Sequence, residues 1–224
     1  MLKLPKLYAI VDRDTLDKRG VSVRAFAEEL REGGARLVQY RDKKNGPQEV
    51  LQAAGEISEV FTDVDAVLIL NDRADLAALL GWGVHVGQGD LPVEDARAVA
   101  LGAIPHAFAK DAKGWATRII GFSTHNAVQL RAADNSTADY IAIGPVFATA
   151  TKRDAEEVVG LEGVRMARAL TSKPLVAIGG IGLENARQVV EAGADSVAVI
   201  GALLPADGMS TQQRAQELIS LLGG

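Results

Sequence analysis

Three short polar stretches carry the first chemical signal in this sequence. In Gln39-Tyr40-Arg41-Asp42-Lys43 the residues Gln39, Arg41 and Lys43 alternate, so an extended chain points them to one side and offers two positive charges to one ligand. Asp72, in Asn71-Asp72, and Asp90, in Gly87-Gln88-Gly89-Asp90, each follow a short apolar run. Two carboxylates beside basic groups suit a Mg2+ ion, which is held by one or two carboxylates together with phosphate oxygens. Asp72 has a simpler reading as well, as the N-cap of a following helix over Ala74 or Asp75. Thr149-Ala150-Thr151-Lys152 places two hydroxyls and an ammonium just beyond Gly144-Pro145, a set that can donate to an anion. Gly179-Gly180 and Gly201 allow backbone N–H groups to approach a phosphate closely, although a tight turn would also call for them. His85, His106 and His125 read as structural, and no Ser-His-Asp arrangement follows from the spacing of Ser123 and His125.

The elements that must position these groups follow from apolar patterning. Runs without polar alternation predict strands buried on both faces over Leu7–Val11, Ala35–Tyr40, Ala66–Leu70, Gly83–Val86, Arg118–Phe122, Asp139–Ile143, Pro174–Ile178 and Ser196–Ile200. Helical periodicity and stop signals predict helices over Val21–Gly33, Gln48–Phe61, Asp72 or Arg73 to Leu80, Pro92–Leu101, Asn126–Ala133, Leu161–Leu170, Leu183–Ala192 and Thr211–Leu222. Eight strand–helix units predict an α/β fold, a single (β/α)8 TIM barrel spanning residues 1–224 as one domain. The competing open, doubly wound sheet wants a Gly-rich turn after its first strand, and Val11-Asp12-Arg13-Asp14 has none. In a barrel every stretch named above falls at the C-terminal ends of the strands, where such folds do chemistry. Gly102 to Trp115 resists assignment and reads as an inserted surface loop.

Composition narrows the function classes. Hydrophobic residues make up 48% of the chain and aromatics only 4%, so the core is built mainly from Ala, Val, Leu and Ile. A net charge of −5 argues against nucleic acid or an anionic membrane as a general partner, so anion sites must be local clusters. There is no cysteine, which excludes thiol nucleophiles, disulfides, Cys-ligated zinc and iron–sulfur clusters. The first residues lack signal-peptide or membrane-span architecture, giving a cytoplasmic expectation. A homo-oligomer is compatible with the sequence.

The rim thus holds two anion sites: a basic, metal-assisted one suited to a diphosphate, and one of backbone groups after strands seven and eight, suited to a monophosphate. Such a pair implies a reaction that joins two phosphorylated small molecules. The motifs Gln39-x-Arg41-x-Lys43, Asn71-Asp72, Gly87-Gln88-Gly89-Asp90, Gly121-x-Ser123-x-His125, Gly144-Pro145-x-Phe147-x-Thr149-x-Thr151-Lys152 and Ile178-Gly179-Gly180-Ile181 resemble, in order, those of the thiamine-phosphate synthase family. That family is a (β/α)8 barrel that joins hydroxymethylpyrimidine diphosphate to thiazole phosphate, or its carboxylated tautomer, through a dissociative substitution.

The resemblance implies that Gln39, Tyr40, Arg41, Asp42, Lys43, Asn71, Ser123 and Lys152 hold the pyrimidine diphosphate, with Arg41, Lys43, Ser123 and Lys152 acting on the reacting groups. It further implies that Asp72 and Asp90 hold Mg2+, and that Thr149, Ala150, Thr151, Gly180, Ile200 and Gly201 hold the thiazole phosphate. The loop from Phe147 to Val159 is then expected to close over the substrates. The chain departs from the family where Ile200-Gly201 stands in place of Ile-Ser, and Gly102 to Trp115 also fits the family pattern poorly. The runner-up readings are a thiazole tautomerase of the related TenI kind and a non-catalytic barrel that binds thiamine precursors.

Overall fold

A computed structural model describes residues 2–101, 119–149 and 157–223. Eight strands follow the apolar runs: β1 (Leu7–Asp12), β2 (Leu37–Arg41), β3 (Val67–Asn71), β4 (Gly83–Val86), β5 (Ile120–Thr124), β6 (Tyr140–Ile143), β7 (Leu175–Ile178) and β8 (Ser196–Val199). All neighbours pair in parallel, and β8 pairs with β1, so the sheet closes into a barrel in sequence order. The helices are α1 (Arg13–Arg19), α2 (Val23–Glu32), α3 (Pro47–Val60), α4 (Ala74–Leu80), α5 (Val93–Leu101), α6 (Ala127–Asn135), α7 (Gly160–Leu170), α8 (Ala186–Glu191) and α9 (Thr211–Leu221). The expected (β/α)8 barrel is therefore the observed fold, and the open doubly wound sheet is excluded by closure.

Alternation along each strand divides the core into two layers. Tyr8, Ile10, Leu37, Val67, Ile69, Tyr140, Ala142, Val176 and Ala198 point inward and fill the barrel. Their sequence neighbours, among them Leu7, Val11, Val38, Tyr40, Leu70, Ile141 and Val197, pack outward beneath the helices. Each fully buried Leu, Ile or Val contributes on the order of 1.5–3 kcal/mol, and both layers include such residues.

Several bounds shift from expectation, β2 beginning at Leu37 rather than Ala35 and α8 at Ala186 rather than Leu183, and two departures have a visible local setting. The fifth strand begins at Ile120, whose N–H donates to Oδ2 of Asp139 at 2.7 Å; Arg118, where the apolar run starts, lies outside the described residues. Helix α1 was not foreseen. It buries only Leu16, so it lacks a hydrophobic stripe, and it exists because Asp12 accepts from Thr15 N at 3.1 Å and Gly20 takes a left-handed C-cap with φ 65°.

Candidate active site

Inward-facing positions change character toward the C-terminal end of the barrel. Below lies the apolar filling; above it Gln39, Arg41, Asn71, His85 and Ser123 line one side of a cavity, while Ile10, Ala142, Val176, Ile178, Ala198 and Ile200 line the other. One wall can donate and accept hydrogen bonds, and the facing wall can exclude water from a flat ring laid against it. Buried Asn71 Nδ2 has no hydrogen-bond partner among the described residues, which leaves a donor for whatever enters the cavity.

Arg41 does not stand alone. Its Nη1 donates to Oδ1 of Asp12 at 2.5 Å, and Asp12, 3% exposed at the end of β1, also accepts from Thr15 N. The ion pair fixes the direction of the guanidinium, and the charge-assisted bond is of the strong kind. Asp12 went unnoticed in the sequence reading; the only available signal was an acid closing an otherwise apolar strand.

Lys43, Asp72 and Asp90 meet on the rim. Asp72 sits in a left-handed conformation, φ 60°, within the tight turn after β3, and its N–H donates to His85 O at 2.8 Å. That turn swings its carboxylate to within 3.0 Å of Lys43 Nζ. Burial lifts the Asp72 carboxyl above its ordinary value; the bond from Lys43 pulls it down, and the neighbouring Asp90 carboxylate pushes it up. Asp72 is thus not the helix N-cap considered above: Arg73 occupies that place in α4, with no side-chain cap bond. Asp90 Oδ2 accepts from Gly87 N at 2.8 Å, which closes the loop after β4 and holds the carboxylate against Asp72.

The other expected site residues fall as follows. Gln39 and Ser123 reach the cavity, as does Ile200. Tyr40 and Asp42, grouped above with the diphosphate contacts, turn their side chains elsewhere. Strand alternation sends the Tyr40 ring into the outer layer, where its hydroxyl donates to Asp42 Oδ2 at 3.0 Å. Asp42 also accepts from Lys44 N and from Asn45 N and Nδ2. Burial opposes its charge, but these donors prevail and hold its carboxyl below the ordinary range. Asp42 shapes the loop that carries Lys43.

Gly179 and Gly180 follow β7 with φ of 103° and 64°. A Cβ on Gly180 would lie 2.6 Å from Ala148 O, so glycine is required for the β7 turn to pass beneath the β6 loop. Gly201 opens a 3-10 turn over Gly201–Leu203 after β8. The β6 loop is pinned at both ends, with Phe147 N on Gly179 O at 2.9 Å and Val159 N on Pro145 O at 2.9 Å. Thr149 is the last described residue before a break; Ala150, Thr151 and Lys152 lie outside the described residues, as do most of the expected closing loop, His106 and Gly102 to Trp115.

The histidines prove more connected than the sequence suggested. His125 Nδ1 binds Gly144 O at 2.6 Å and so holds the start of the β6 loop. His85 bridges Tyr140 and Ser123 inside the barrel.

Comparison with known proteins agrees with this geometry. The sequence model of a family described as thiamine monophosphate synthase matches residues 7–203. A thiamine-phosphate synthase from Koribacter versatilis is 49% identical over 224 residues, covering 99% of this chain and 97% of that protein. One from Chloroflexus aurantiacus is 39% identical, covering 93% of this chain and 89% of that protein. Among solved structures, a thiamine phosphate pyrophosphorylase from Pyrococcus furiosus superposes with a TM-score of 0.80 at 31% identity, covering 98% of this chain and 96% of that one.

Proposed function

We propose that this chain, which belongs to the thiamine monophosphate synthase family, is a thiamine-phosphate synthase that performs its coupling in the rim cavity described above. The substrates are a hydroxymethylpyrimidine diphosphate and a thiazole phosphate, and the products thiamine phosphate and diphosphate. The observation that carries the site assignment is the convergence of Arg41, Lys43, Asp72 and Asp90 above a cavity with one polar and one apolar wall.

The pyrimidine ring enters the cavity, with Gln39, Asn71 and Ser123 on its polar side. Its diphosphate reaches up to Arg41, Lys43 and Lys152. The C–O bond breaks with its electron pair leaving on the diphosphate, and the ring-stabilised cation left behind is captured by the thiazole nitrogen. Such a step needs no protein nucleophile and no strong base. It needs positive charge where the leaving group gathers negative charge, and dry walls around the cation. Oriented by Asp12, Arg41 supplies part of the first, and Ile10, Val176, Ile178 and Ile200 supply the second.

Asp72 and Asp90 fit a Mg2+ ion. Two adjoining carboxylates, one of them lifted by burial and by its neighbour, are a place that gains from a cation, and Mg2+ accepts so few protein ligands when phosphate and water complete its shell. Bound there, Mg2+ supplies charge neutralisation on the diphosphate. The thiazole phosphate is assigned to Thr149, Ala150 and Thr151 together with the backbone of Gly180, Ile200 and Gly201; of these, Ala150 and Thr151 lie outside the described residues.

The tautomerase and non-catalytic readings are not favoured, since the relatives compared above are named as synthases. Formation of thiamine phosphate from both substrates, with and without Mg2+, is the test. Turnover only with both substrates and the metal supports the assignment, and isomerisation of the thiazole without coupling would refute it.

A further inference from the structure

A largely buried hydrogen-bond chain crosses the barrel along the floor of the cavity. Gln39 Nε2 donates to Tyr8 OH at 2.7 Å, and Tyr8 OH and Tyr140 OH are 2.8 Å apart. Tyr140 OH then meets His85 Nδ1 at 2.9 Å, and His85 Nε2 meets Ser123 Oγ at 2.8 Å. Five residues on β1, β2, β4, β5 and β6 are linked end to end. Tyr8 and Tyr140 are fully buried and His85 is nearly so, so each group must find its partner within the chain.

The chain has a direction. With the Gln39 amide nitrogen placed toward Tyr8, the polarity in which every buried hydroxyl finds an acceptor sends the Tyr8 proton to Tyr140. The Tyr140 oxygen, having accepted that proton, donates its own to His85 Nδ1. In that polarity the imidazole carries its proton on Nε2, which donates to Ser123 Oγ. Ser123 is left with its hydroxyl proton for the cavity it lines. Burial, the foremost cause, lifts both phenols well above their ordinary values, so neither loses its proton at any working pH. Gly121 makes room for the relay: a Cβ there would lie 2.3 Å from Tyr140 OH and 2.4 Å from His85 Nδ1.

We propose that His85, set by Tyr140, is a positioning residue that makes Ser123 a hydrogen-bond donor to the diphosphate-bearing substrate. This rests on the reading that Ser123 touches that substrate. A hydroxyl that gives its proton to the departing oxygen assists ionisation, whereas one that gives it back to His85 does not. The same polarity occupies the Nδ1 lone pair and protonates Nε2, so no imidazole lone pair faces the cation.

Two measurements test the proposal. Nitrogen NMR of the His-labelled wild-type chain, with His85 assigned by its loss in His85→Gln, reads the tautomer directly. Protonated Nε2 is expected; a protonated Nδ1 would reverse the relay and overturn the proposal. A double-mutant cycle reads the functional link. Tyr140→Phe keeps the ring and removes the donor to Nδ1 together with the acceptor for Tyr8, and should lower kcat/KM for the diphosphate substrate by about tenfold. In the Ser123→Ala background it should cost less than about twofold, since its effect passes through the serine. Equal losses in both backgrounds would assign Tyr140 a purely structural role and overturn the link. If Tyr140→Phe fails to fold, the wild-type tautomer still decides. Wild-type coupling by Ser123→Ala would instead sink the underlying reading of Ser123, whichever tautomer His85 holds.

Discussion

The ammonium of Lys43 lies 3.0 Å from Oδ2 of Asp72, the carboxylate proposed to hold Mg2+. A residue proposed to bind phosphate therefore neutralises the metal ligand when phosphate is absent. The Lys43 side chain is 54% exposed, so the pair contributes on the order of 0.2–1 kcal/mol, little enough to be exchanged when substrate arrives. Lys43→Gln should tighten binding of Mg2+ alone, by up to about fivefold, because it removes a competitor for Asp72. The same variant should weaken the diphosphate substrate. Calorimetric Mg2+ titration and a KM measurement check the two halves; loss of metal binding in Lys43→Gln would show that the pair does not compete.

Asp72 makes stability depend on pH. Burial and Asp90 lift its folded-state value above that of the unfolded chain. Its contribution is therefore fully present below the ordinary carboxylate range and is lost as pH rises through the raised folded value. Without metal, Asp72→Asn should melt above wild type at neutral pH, and the gap should close as the solution is acidified. Excess Mg2+ should stabilise only the wild type. A gap that grows on acidification would contradict this account of Asp72.

Asp12 holds Arg41 from a nearly closed position. Asp12→Ala leaves the guanidinium without its counter-charge and should cost about 3–5 kcal/mol of stability, the range for breaking a buried pair. Denaturant unfolding reads the loss, and Asp12→Asn, which keeps an oxygen in place, should recover part of it.

Gly201 and Gly180 are predicted to behave oppositely. No atom lies within 4 Å of a Cβ built on Gly201, so Gly201→Ser should fold normally. The added hydroxyl is worth about 0.5–1.5 kcal/mol, lowering the KM for thiazole phosphate by about tenfold at most. Gly180→Ala meets Ala148 O at 2.6 Å with φ 64° and should destabilise by about 1–3 kcal/mol or more. Equal melting temperatures in the two variants would show that the β7 turn is more pliable than its packing implies.

The barrel was legible because its strands are short, uninterrupted apolar runs, and because chemistry gathers at one end of such a barrel. The rim groups Arg41, Lys43, Asp72 and Asp90 were legible for the same reason: each stands at, or a few residues beyond, the C-terminal end of an apolar run. What stayed hidden depends on contacts between distant strands. Nothing local shows that Tyr8 and Tyr140, 132 residues apart, would meet through their hydroxyls, or that Gly121 is empty so that they can reach His85. His85 read as structural because one histidine in a short strand carries no partner in its own sequence. Tyr40 joined the binding set by its place within a motif, whereas strand alternation turns its ring outward.

In the proposed mechanism, rim charge ionises the C–O bond of the diphosphate substrate. Rapid-quench single-turnover measurement of diphosphate release, with both substrates and Mg2+, tests it most directly. Wild type should release one diphosphate per thiamine phosphate formed. Asp90→Ala, with its fold intact by circular dichroism, should release it more slowly by about a hundredfold or more, the scale of losing preorganised charge at a departing oxyanion. Release from Asp90→Ala at the wild-type rate would contradict the account.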